Sequence, residues 1–348
     1  MNFSSDNALG ASPRVMQALL AANEGAAAAY GSDPHSQRAA QMLCEIFERD
    51  CAVFLVATGT AANALALAAL APPWGAVFCH ADAHVNRDEC GAPEFFGDGL
   101  KLVPIKGAGG KLTPAALEAR LSRFPRGVVH HVQAHALSLS QATEAGTIYS
   151  CEEIAALSGI ARSAGMGVHM DGARFANALL TLGRTPAEMT WKAGVDVLCF
   201  GATKNGTLAC EAVVFFDPAK AENFGFRRKR SGHTISKGRF LGAQMAGYLE
   251  DGHWLDLARH ANACAAQLSQ GLAMLPGVRL PWPCQANEVF ALLPGRMDAA
   301  LRAAGAAYYD WRAEDVAPGA GEVFIRLVTS FATRQEDLAR FVAVAAAA

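Results

Sequence analysis

The stretch VLCFGATKNGTLACEAVVFF, from Val197 to Phe216, carries a lysine between two apolar segments. Apolar runs of this length are typical of buried strands. Small residues flank Lys204 on both sides, and no acid follows it before Glu211. An ammonium group in such surroundings usually has its charge altered or forms a covalent bond to another molecule. The stretch therefore predicts a lysine with a chemical role, at a turn between two core strands.

Outward from this stretch, short apolar runs alternate with amphipathic helical segments, one of them around Glu152–Ser163. Nearly continuous apolar strands separated by helices predict an α/β fold, with a mostly parallel central sheet covered by helices on both faces. The expected strands are Ala52–Val56, Ala76–Cys79, Lys101–Pro104, Val128–Val132, Met166–Met170, Val195–Phe200 and Ala212–Phe216.

The last hundred residues have a different pattern. A long Ala-rich helix over Leu255–Met274 precedes strand-like segments at Val289–Leu293 and Val323–Leu327, and another Ala-rich helix ends the chain. This change of pattern predicts a large domain over residues 1–250, including the N-terminal segment, and a small C-terminal α+β domain over residues 251–348.

The composition of the chain bears on its partners and its location in the cell. The chain has 348 residues and a net charge of −2, so nothing favours nucleic acid or an anionic membrane as a partner. Residues 51–81 contain no Asp, Glu, Lys or Arg, but they read as a strand, a turn and a helix and not as one membrane helix. The nine cysteines include no CxxC pair, and the N-terminus does not resemble a secretion signal. We therefore expect a cytoplasmic protein.

Two further segments carry candidate site residues. The segment VHMDGARFANAL ends an apolar strand at Asp171, with Arg174 just after it. Ligands of open α/β sheets bind at the carboxyl ends of strands, so these residues either form a structural ion pair or contact a ligand. The segment VATGTAANALAL places a turn with Gly59 and Thr60 before a helix, and backbone N–H groups at such a turn suit a phosphate.

Together, a phosphate turn, an aspartate and a lysine in this order describe a site for pyridoxal 5′-phosphate. Lys204 would bind the cofactor covalently, and Asp171 would pair with the ring nitrogen and keep it protonated. The order is similar to that of the aminotransferase-like enzymes of fold type I. Other enzymes of that fold, such as a β-eliminating lyase, an aminotransferase or a racemase, share these parts and stay as alternatives.

A run of eight motifs resembles the low-specificity L-threonine aldolase family, in that family's order and over about residues 3–333. The motifs are FSSDNALGASPRVMQALLAANEG, AYGSDP, TGTAANALAL, HVNRDECGAPEFFG, QATEAGTIYS, HMDGARFANAL, GATKNG and RLVTSFAT. The resemblance implies cleavage of L-threonine, L-allo-threonine and related β-hydroxy-α-amino acids to glycine and an aldehyde. It also implies a homotetramer, built as a dimer of dimers, with active sites shared between subunits.

The resemblance also implies roles for individual residues. Lys204 and Asp171 match the cofactor lysine and the partner of the ring nitrogen, and Arg174 matches an arginine at the cofactor's hydroxyl side. Gly59 and Thr60 match the phosphate turn.

Other matches concern the substrate and the neighbouring subunit. His84 matches a histidine that stacks on the cofactor ring, and Ser5 and Arg326 match the pair that holds the substrate carboxylate. Tyr30 matches a segment that reaches an active site across a subunit interface. The basic run at 227–239 matches the region that donates an arginine to a neighbouring phosphate, and Arg230 is our choice within it.

One position departs from the family's pattern. Some members carry a histidine where Glu144 follows Thr143 here, so Glu144 is expected at the substrate, while the base stays open between Glu144, His84, His135 and a bound water. Two other classes of protein also stay open. One is a cofactor-binding protein without catalysis, and the other is a zinc hydrolase built on the HADAH segment at residues 80–84.

Overall fold

The computed structural model describes all residues, 1–348, and contains ten strands in two sheets. The larger sheet has the order β1-β7-β6-β5-β4-β2-β3; β7 runs antiparallel to both of its neighbours and every other pair is parallel. The strands are β1 (Ala52–Val56), β2 (Gly75–His80), β3 (Lys101–Ile105), β4 (Gln133–Ser140), β5 (Gly167–Gly172), β6 (Val197–Phe200), β7 (Glu211–Phe215), β8 (Glu288–Pro294), β9 (Tyr309–Asp310) and β10 (Glu322–Val328).

Fourteen α-helices connect and cover these strands. They are α1 (Pro13–Ala22), α2 (Pro34–Ile46), α3 (Gly59–Leu70), α4 (His84–Arg87), α5 (Ala92–Phe96), α6 (Pro114–Leu121), α7 (Cys151–Ser163), α8 (Phe175–Leu182), α9 (Pro186–Met189), α10 (Phe224–Arg230), α11 (Arg239–Leu249), α12 (His253–Ala273), α13 (Gly295–Ala303) and α14 (Gln335–Ala347).

Both faces of the large sheet are buried, as β6 illustrates. Val197 and Cys199 pack in a core formed with α3 and α10. Leu198 and Phe200 point to the opposite face and join the main core, to which α2, α7, α8 and α11 contribute. Alternate residues of a strand point to opposite faces, so a strand buried on both faces reads as a continuous apolar run. The predicted mostly parallel sheet with helices on both faces is confirmed.

The charge-free segment at residues 51–81 forms β1, α3 and β2. Thr58 caps α3, since its side-chain oxygen accepts a hydrogen bond from the Ala61 N–H at 3.2 Å. Most residues of α3 are buried against the sheet, which explains why this helix has no polar face. No helix in the chain combines the length and the apolar character needed to cross a membrane.

One expected strand is wrong. Residues 128–132 form turns, and Val129 is 93% exposed; the strand follows at β4. The side chain of Gln133 holds this turn, because it accepts a hydrogen bond from Gly127 N–H and donates to the carbonyls of Val128 and His131. Such local side-chain bonds give the backbone an alternative to pairing in a sheet.

The second sheet, of order β8-β10-β9, packs against α12, α13 and α14 around its own core. Residues at the N-terminus join it: Phe3 N–H donates to the Ala307 carbonyl, and Phe3 O accepts from Val328 N–H, both at 2.8 Å. The ring of Phe3 lies edge-on to Phe341. The division of the chain near residue 250 stays a prediction.

Candidate active site

A cavity of about 260 Å³ opens at the carboxyl ends of the parallel strands β4, β5 and β6. Chain segments that are far apart in sequence meet there, as expected for ligand sites of open α/β sheets. Seven of the residues expected at the site line this cavity: Gly59, Thr60, His84, Glu144, Asp171, Arg174 and Lys204.

Lys204 lies on a single 3₁₀ turn after β6 and has no ion pair or hydrogen bond within the protein. This turn lies directly against the loop that follows β5, because Gly201 N–H donates to the Gly172 carbonyl at 3.0 Å. A Cβ atom at Gly201 would lie 2.6 Å from the Cα of Ala173, so only glycine fits. The amine is thus held next to the aspartate segment and is free to react.

Asp171 is buried at the end of β5 and its two oxygens are both satisfied. Oδ1 accepts from Ala173 N–H at 3.0 Å, and Oδ2 accepts from the Asn63 amide at 2.8 Å. The same amide nitrogen also donates to Glu89 Oε1 at 2.8 Å. Asn63 therefore positions two buried carboxylates from its place on α3.

His84 is oriented by Glu89. The His84 Nδ1 and Glu89 Oε1 atoms lie 2.8 Å apart, and this contact raises the pKa of the imidazole. Burial in turn raises the pKa of the Glu89 carboxyl, although His84 and Asn63 oppose that shift. The other ring nitrogen of His84 has no partner in the protein, and the side chain lines the cavity.

Arg174 is buried in an ion-pair network. Its Nε and Nη2 donate to the carboxylate of Asp6 at 2.9 and 3.2 Å, and its Nη1 lies 3.2 Å from Glu288 Oε2. Burial raises the pKa of Asp6, but the charges of Arg174 and Lys204, together with hydrogen bonds from Asn287 and Arg174, outweigh burial and leave that pKa below its ordinary value. The arginine lines the cavity from this fixed position.

The pair expected to hold a substrate carboxylate does not line the cavity. Arg326 Nη1 lies 4.0 Å from Glu288 Oε1, and its guanidinium stacks 4.4 Å from the Trp311 ring. Ser5 caps a 3₁₀ turn by accepting a hydrogen bond from Asn7 N–H at 3.1 Å. Both are nevertheless linked to the cavity, Arg326 through Glu288 and Arg174, and Ser5 through its neighbours along the chain.

Two expected residues lie away from this chain's own cavity. Tyr30 is 54% exposed and lines a different cavity, next to Arg228 and His233. Arg230 is exposed at the end of α10 and has no ion pair or hydrogen bond. Their expected role, which is at the site of a neighbouring subunit, stays a prediction.

His80 is unsuited to a metal ion, because its ring nitrogens are already engaged. Nε2 lies 2.9 Å from the Gly107 carbonyl, and Nδ1 accepts from Asp82 N–H at 3.1 Å. No three His, Cys, Asp or Glu side chains are arranged to hold a metal ion. The arrangement gives no support to a zinc hydrolase.

His135 is also remote. It lies on β4, five residues before the strand's carboxyl end, and its Nδ1 lies 2.9 Å from the Gln133 carbonyl. It does not line the cavity. Of the four candidates for the base, the structure brings only His84 and Glu144 into the cavity; a bound water stays open.

Sequence reasoning missed the buried partners Asp6, Asn63, Glu89, Glu211 and Glu288. Asn63, Glu211 and Glu288 left a signal, since each is a polar residue beside a run of buried residues, whereas the sequence neighbours of Asp6 and Glu89 are exposed or half-buried. Asn63 is the clearest, as the one polar residue in the Ala- and Leu-rich body of α3. Glu211 accepts from Ala202 N–H at 2.7 Å, and burial raises the pKa of this carboxyl to about 7.

The donor set fits pyridoxal phosphate. An unpaired amine, a fixed carboxylate and the free first-turn N–H groups of α3 all face one cavity, and they match the cofactor's aldehyde, ring nitrogen and phosphate. Gly59 has open space where a Cβ would lie, so the backbone there is accessible to a phosphate.

The chain is similar to known proteins over most of its length. The model of the beta-eliminating lyase family matches residues 2–293. A low specificity L-threonine aldolase of a Pseudomonas species is 47% identical over 307 residues, which is 88% of each chain. The solved structure of a Leishmania major threonine aldolase superposes with a TM-score of 0.91 at 31% identity, covering 99% of this chain and 98% of that one. A serine palmitoyltransferase of Sphingomonas wittichii, 16% identical, shares the fold with a TM-score of 0.71 over 100% of this chain and 86% of that one.

Proposed function

The chain belongs to the low-specificity L-threonine aldolase family, within the beta-eliminating lyases, and from this premise we propose that its cavity cleaves β-hydroxy-α-amino acids. L-Threonine and L-allo-threonine would give glycine and acetaldehyde, and related substrates would give glycine and other aldehydes. The enzyme is a carbon–carbon lyase, and we expect the reaction to run in both directions, as aldol cleavage and aldol addition follow the same path in opposite senses.

Pyridoxal 5′-phosphate supplies an electron sink for the electron pair left at Cα when the Cα–Cβ bond breaks. Lys204 would hold the cofactor covalently, and Asp171 would keep a proton on the ring nitrogen. The N–H groups of Gly59 and Thr60 would hold the phosphate with the help of the α3 dipole. His84, fixed by Glu89, would cover the ring face.

We propose that Arg326 and Ser5 bind the substrate carboxylate. A guanidinium that binds a carboxylate with two hydrogen bonds fixes its orientation, which in turn sets the direction of the Cα–Cβ bond. Arg326 faces Glu288 only at 4.0 Å and its Nε has no partner, so it retains donors for a second carboxylate.

We also propose a homotetramer in which subunits share their sites. Tyr30 and Arg230 are exposed on this chain and lie away from its own cavity, as a residue that acts at a neighbouring subunit would.

We further propose a cytoplasmic location. The nine free cysteines support it, because disulfides are rare in reducing compartments.

The observation that carries this proposal is the unpaired Lys204 amine, which shares one cavity with Asp171 and the N-terminus of α3. Product analysis tests the reaction. Purified holoenzyme is given L-threonine, L-allo-threonine or 3-phenylserine, and glycine, aldehyde, ammonia and 2-oxo acid are measured. We expect glycine and aldehyde in equal amounts. Ammonia with a 2-oxo acid, and no aldehyde, would instead indicate elimination at the β-carbon without cleavage of the Cα–Cβ bond.

A further inference from the structure

Glu144 lies where two cavities meet. It lines the cavity that contains Lys204, and it also lines a neighbouring cavity of about 270 Å³ whose walls include Trp282 and Trp311. A substrate held at Lys204 whose β-substituent extends into the second cavity would pass this carboxylate. Such a position suits a group that acts on the β-hydroxyl.

The turn that carries Glu144 is rigid. The hydroxyl groups of Thr143 and Thr147 both donate to the Gly109 carbonyl, at 3.2 and 2.6 Å. Thr143 N–H also donates to the Thr147 carbonyl at 2.9 Å. Because hydrogen bonds fix both ends of the turn, the backbone that carries Glu144 is held in place before any ligand binds.

Glu144 is the only carboxylate lining the cavity that has no hydrogen-bond donor within the protein. Asp171 accepts from Asn63 and Ala173, and Glu211 accepts from Ala202. Glu144 has neither a hydrogen bond nor an ion pair, although its side chain is partly buried. Removing a carboxylate from water without giving it a hydrogen-bond donor costs free energy. The oxygens of Glu144 therefore remain available to accept a hydrogen bond from a ligand hydroxyl.

The charged and polar groups around the cavity act on both His84 and Glu144. Glu89 engages Nδ1 of His84 at 2.8 Å and raises the pKa of the imidazole, which matches the role proposed above for His84 at the ring face. Burial raises the pKa of Glu144, while the charges of Lys204 and His84 lower it and those of Asp171 and Glu288 raise it. From the neighbouring cavity, Glu144 faces the charged groups Asp82, Arg87, Asp88, Asp310, Arg312 and Asp315.

We propose that Glu144 is the general base that removes the proton of the substrate's β-hydroxyl. This assignment rests on the aldol cleavage proposed above. The proton moves to the carboxylate, the O–H electron pair forms the aldehyde C=O bond, and the Cα–Cβ pair stays on Cα until a proton is added there to give glycine. In the direction of synthesis, Glu144 returns the proton to the new hydroxyl.

The test compares Glu144→Gln with Glu118→Gln, a change at an exposed carboxylate on α6. Three quantities are measured on the holoenzymes: kcat and KM for L-threonine against pH, exchange of the α-proton of glycine in D2O, and the cofactor's absorbance with the spectral change on glycine binding. Glycine has no β-hydroxyl, so its binding and its proton exchange do not need the proposed base.

We expect Glu144→Gln to lower kcat by about 10²–10⁴-fold and to remove the acidic limb of the pH profile. In the same variant we expect the rate of glycine proton exchange, the affinity for glycine and the cofactor's absorbance to stay within about threefold of the wild type. The control variant Glu118→Gln should stay within the same limits in every measurement. Formate should restore part of the activity of Glu144→Ala, because a small carboxylate can enter the space left by the side chain.

Two results would overturn the assignment. One is a Glu144→Gln enzyme that retains kcat and the acidic limb; the other is a loss of glycine exchange in the same proportion as cleavage, which would indicate a general defect of the site. A wild-type enzyme that releases no aldehyde, yet still exchanges the glycine proton, would instead contradict the proposed function itself.

Discussion

Lys204, Asp171 and the Gly59–Thr60 turn follow three separate strands, and each carries a local signal that the sequence alone reveals. An isolated lysine among small residues, a carboxylate at a strand end and a glycine turn before a helix are patterns of residue type and position. The partners of these residues have no such signal. The Asn63 amide can bridge Asp171 and Glu89 only because of the way α3 lies on the sheet. Packing between residues far apart in the sequence decides that placement.

His169 provides a residue-scale prediction of pH dependence. It is fully buried on β5, with Nδ1 2.9 Å from Ser138 Oγ and Nε2 3.2 Å from Cys199 Sγ, and burial lowers its pKa to about 4. A histidine whose pKa is lower in the folded state stabilises the fold above its unfolded pKa of 6.5, and this contribution is lost as the pH falls towards 4.

We therefore expect the free energy of unfolding to fall by about 2 kcal/mol from His169 alone between about pH 7 and about pH 5. Urea unfolding at fixed protein concentration measures it. His169→Gln should remove this part of the pH dependence, whatever its effect at neutral pH. An unchanged difference between the two pH values in the variant would show that His169 does not titrate as we describe.

At the scale of elements, strands buried on both faces were predictable because they are continuous apolar runs, as in β6 and β7. The strand β4 was not, because the polar residues Gln133, His135 and Ser138 interrupt its apolar run; Gln133 and His135 bond to backbone groups nearby in the chain, and Ser138 bonds to His169 of β5. The two valines before it were misleading because apolar character alone does not exclude an exposed turn. The site is affected little, since the carboxyl end of β4 still lies next to Asp171.

The contact between the turn after β6 and the loop after β5 gives a prediction at this scale. Gly201→Ala would place a methyl group 2.6 Å from the backbone of Ala173, where no flexible side chain can move away. We expect a loss of about 1–3 kcal/mol in stability and weaker retention of the cofactor, because the two segments must separate.

The matched control is Gly159→Ala, on the exposed face of α7, where a methyl group meets nothing within 4 Å. We expect that change to stabilise the protein by about 0.5–1 kcal/mol. Thermal unfolding and the cofactor's absorbance after dialysis measure both effects. Equal behaviour of the two variants would mean that the close approach at Gly201 is not required.

For the whole molecule, the change of sequence pattern after about residue 250 predicted a second, smaller α+β domain. It did not predict which residues connect that domain to the large sheet. The connection is a buried network in which Arg174, from the loop between β5 and α8, lies between Asp6 of the N-terminal segment and Glu288 of β8. Charges this far apart in sequence carry no local pattern, so only the folded chain brings them together.

Asp6→Asn tests this network. The side chain of Asp6 is 1% exposed and that of Arg174 is 8% exposed. Removing the Asp6 charge weakens the hydrogen bonds that Arg174 donates to it, while Glu288 still faces the guanidinium, so we expect a loss of about 1.5–3 kcal/mol in the free energy of unfolding. Glu48→Gln, which breaks the exposed pair with Lys192, should cost less than about 1 kcal/mol. Comparable losses in urea unfolding would contradict a special role for the buried network.

The most direct test of the whole account is to identify the residue that binds the cofactor. Borohydride reduction of the holoenzyme fixes a lysine-bound cofactor irreversibly, and peptide mass mapping then locates it. We predict the added mass on the peptide that contains Lys204 and nowhere else, with both absorbance and turnover lost in a folded Lys204→Ala variant. Modification at another lysine, or a Lys204→Ala enzyme that keeps colour and turnover, would contradict the account.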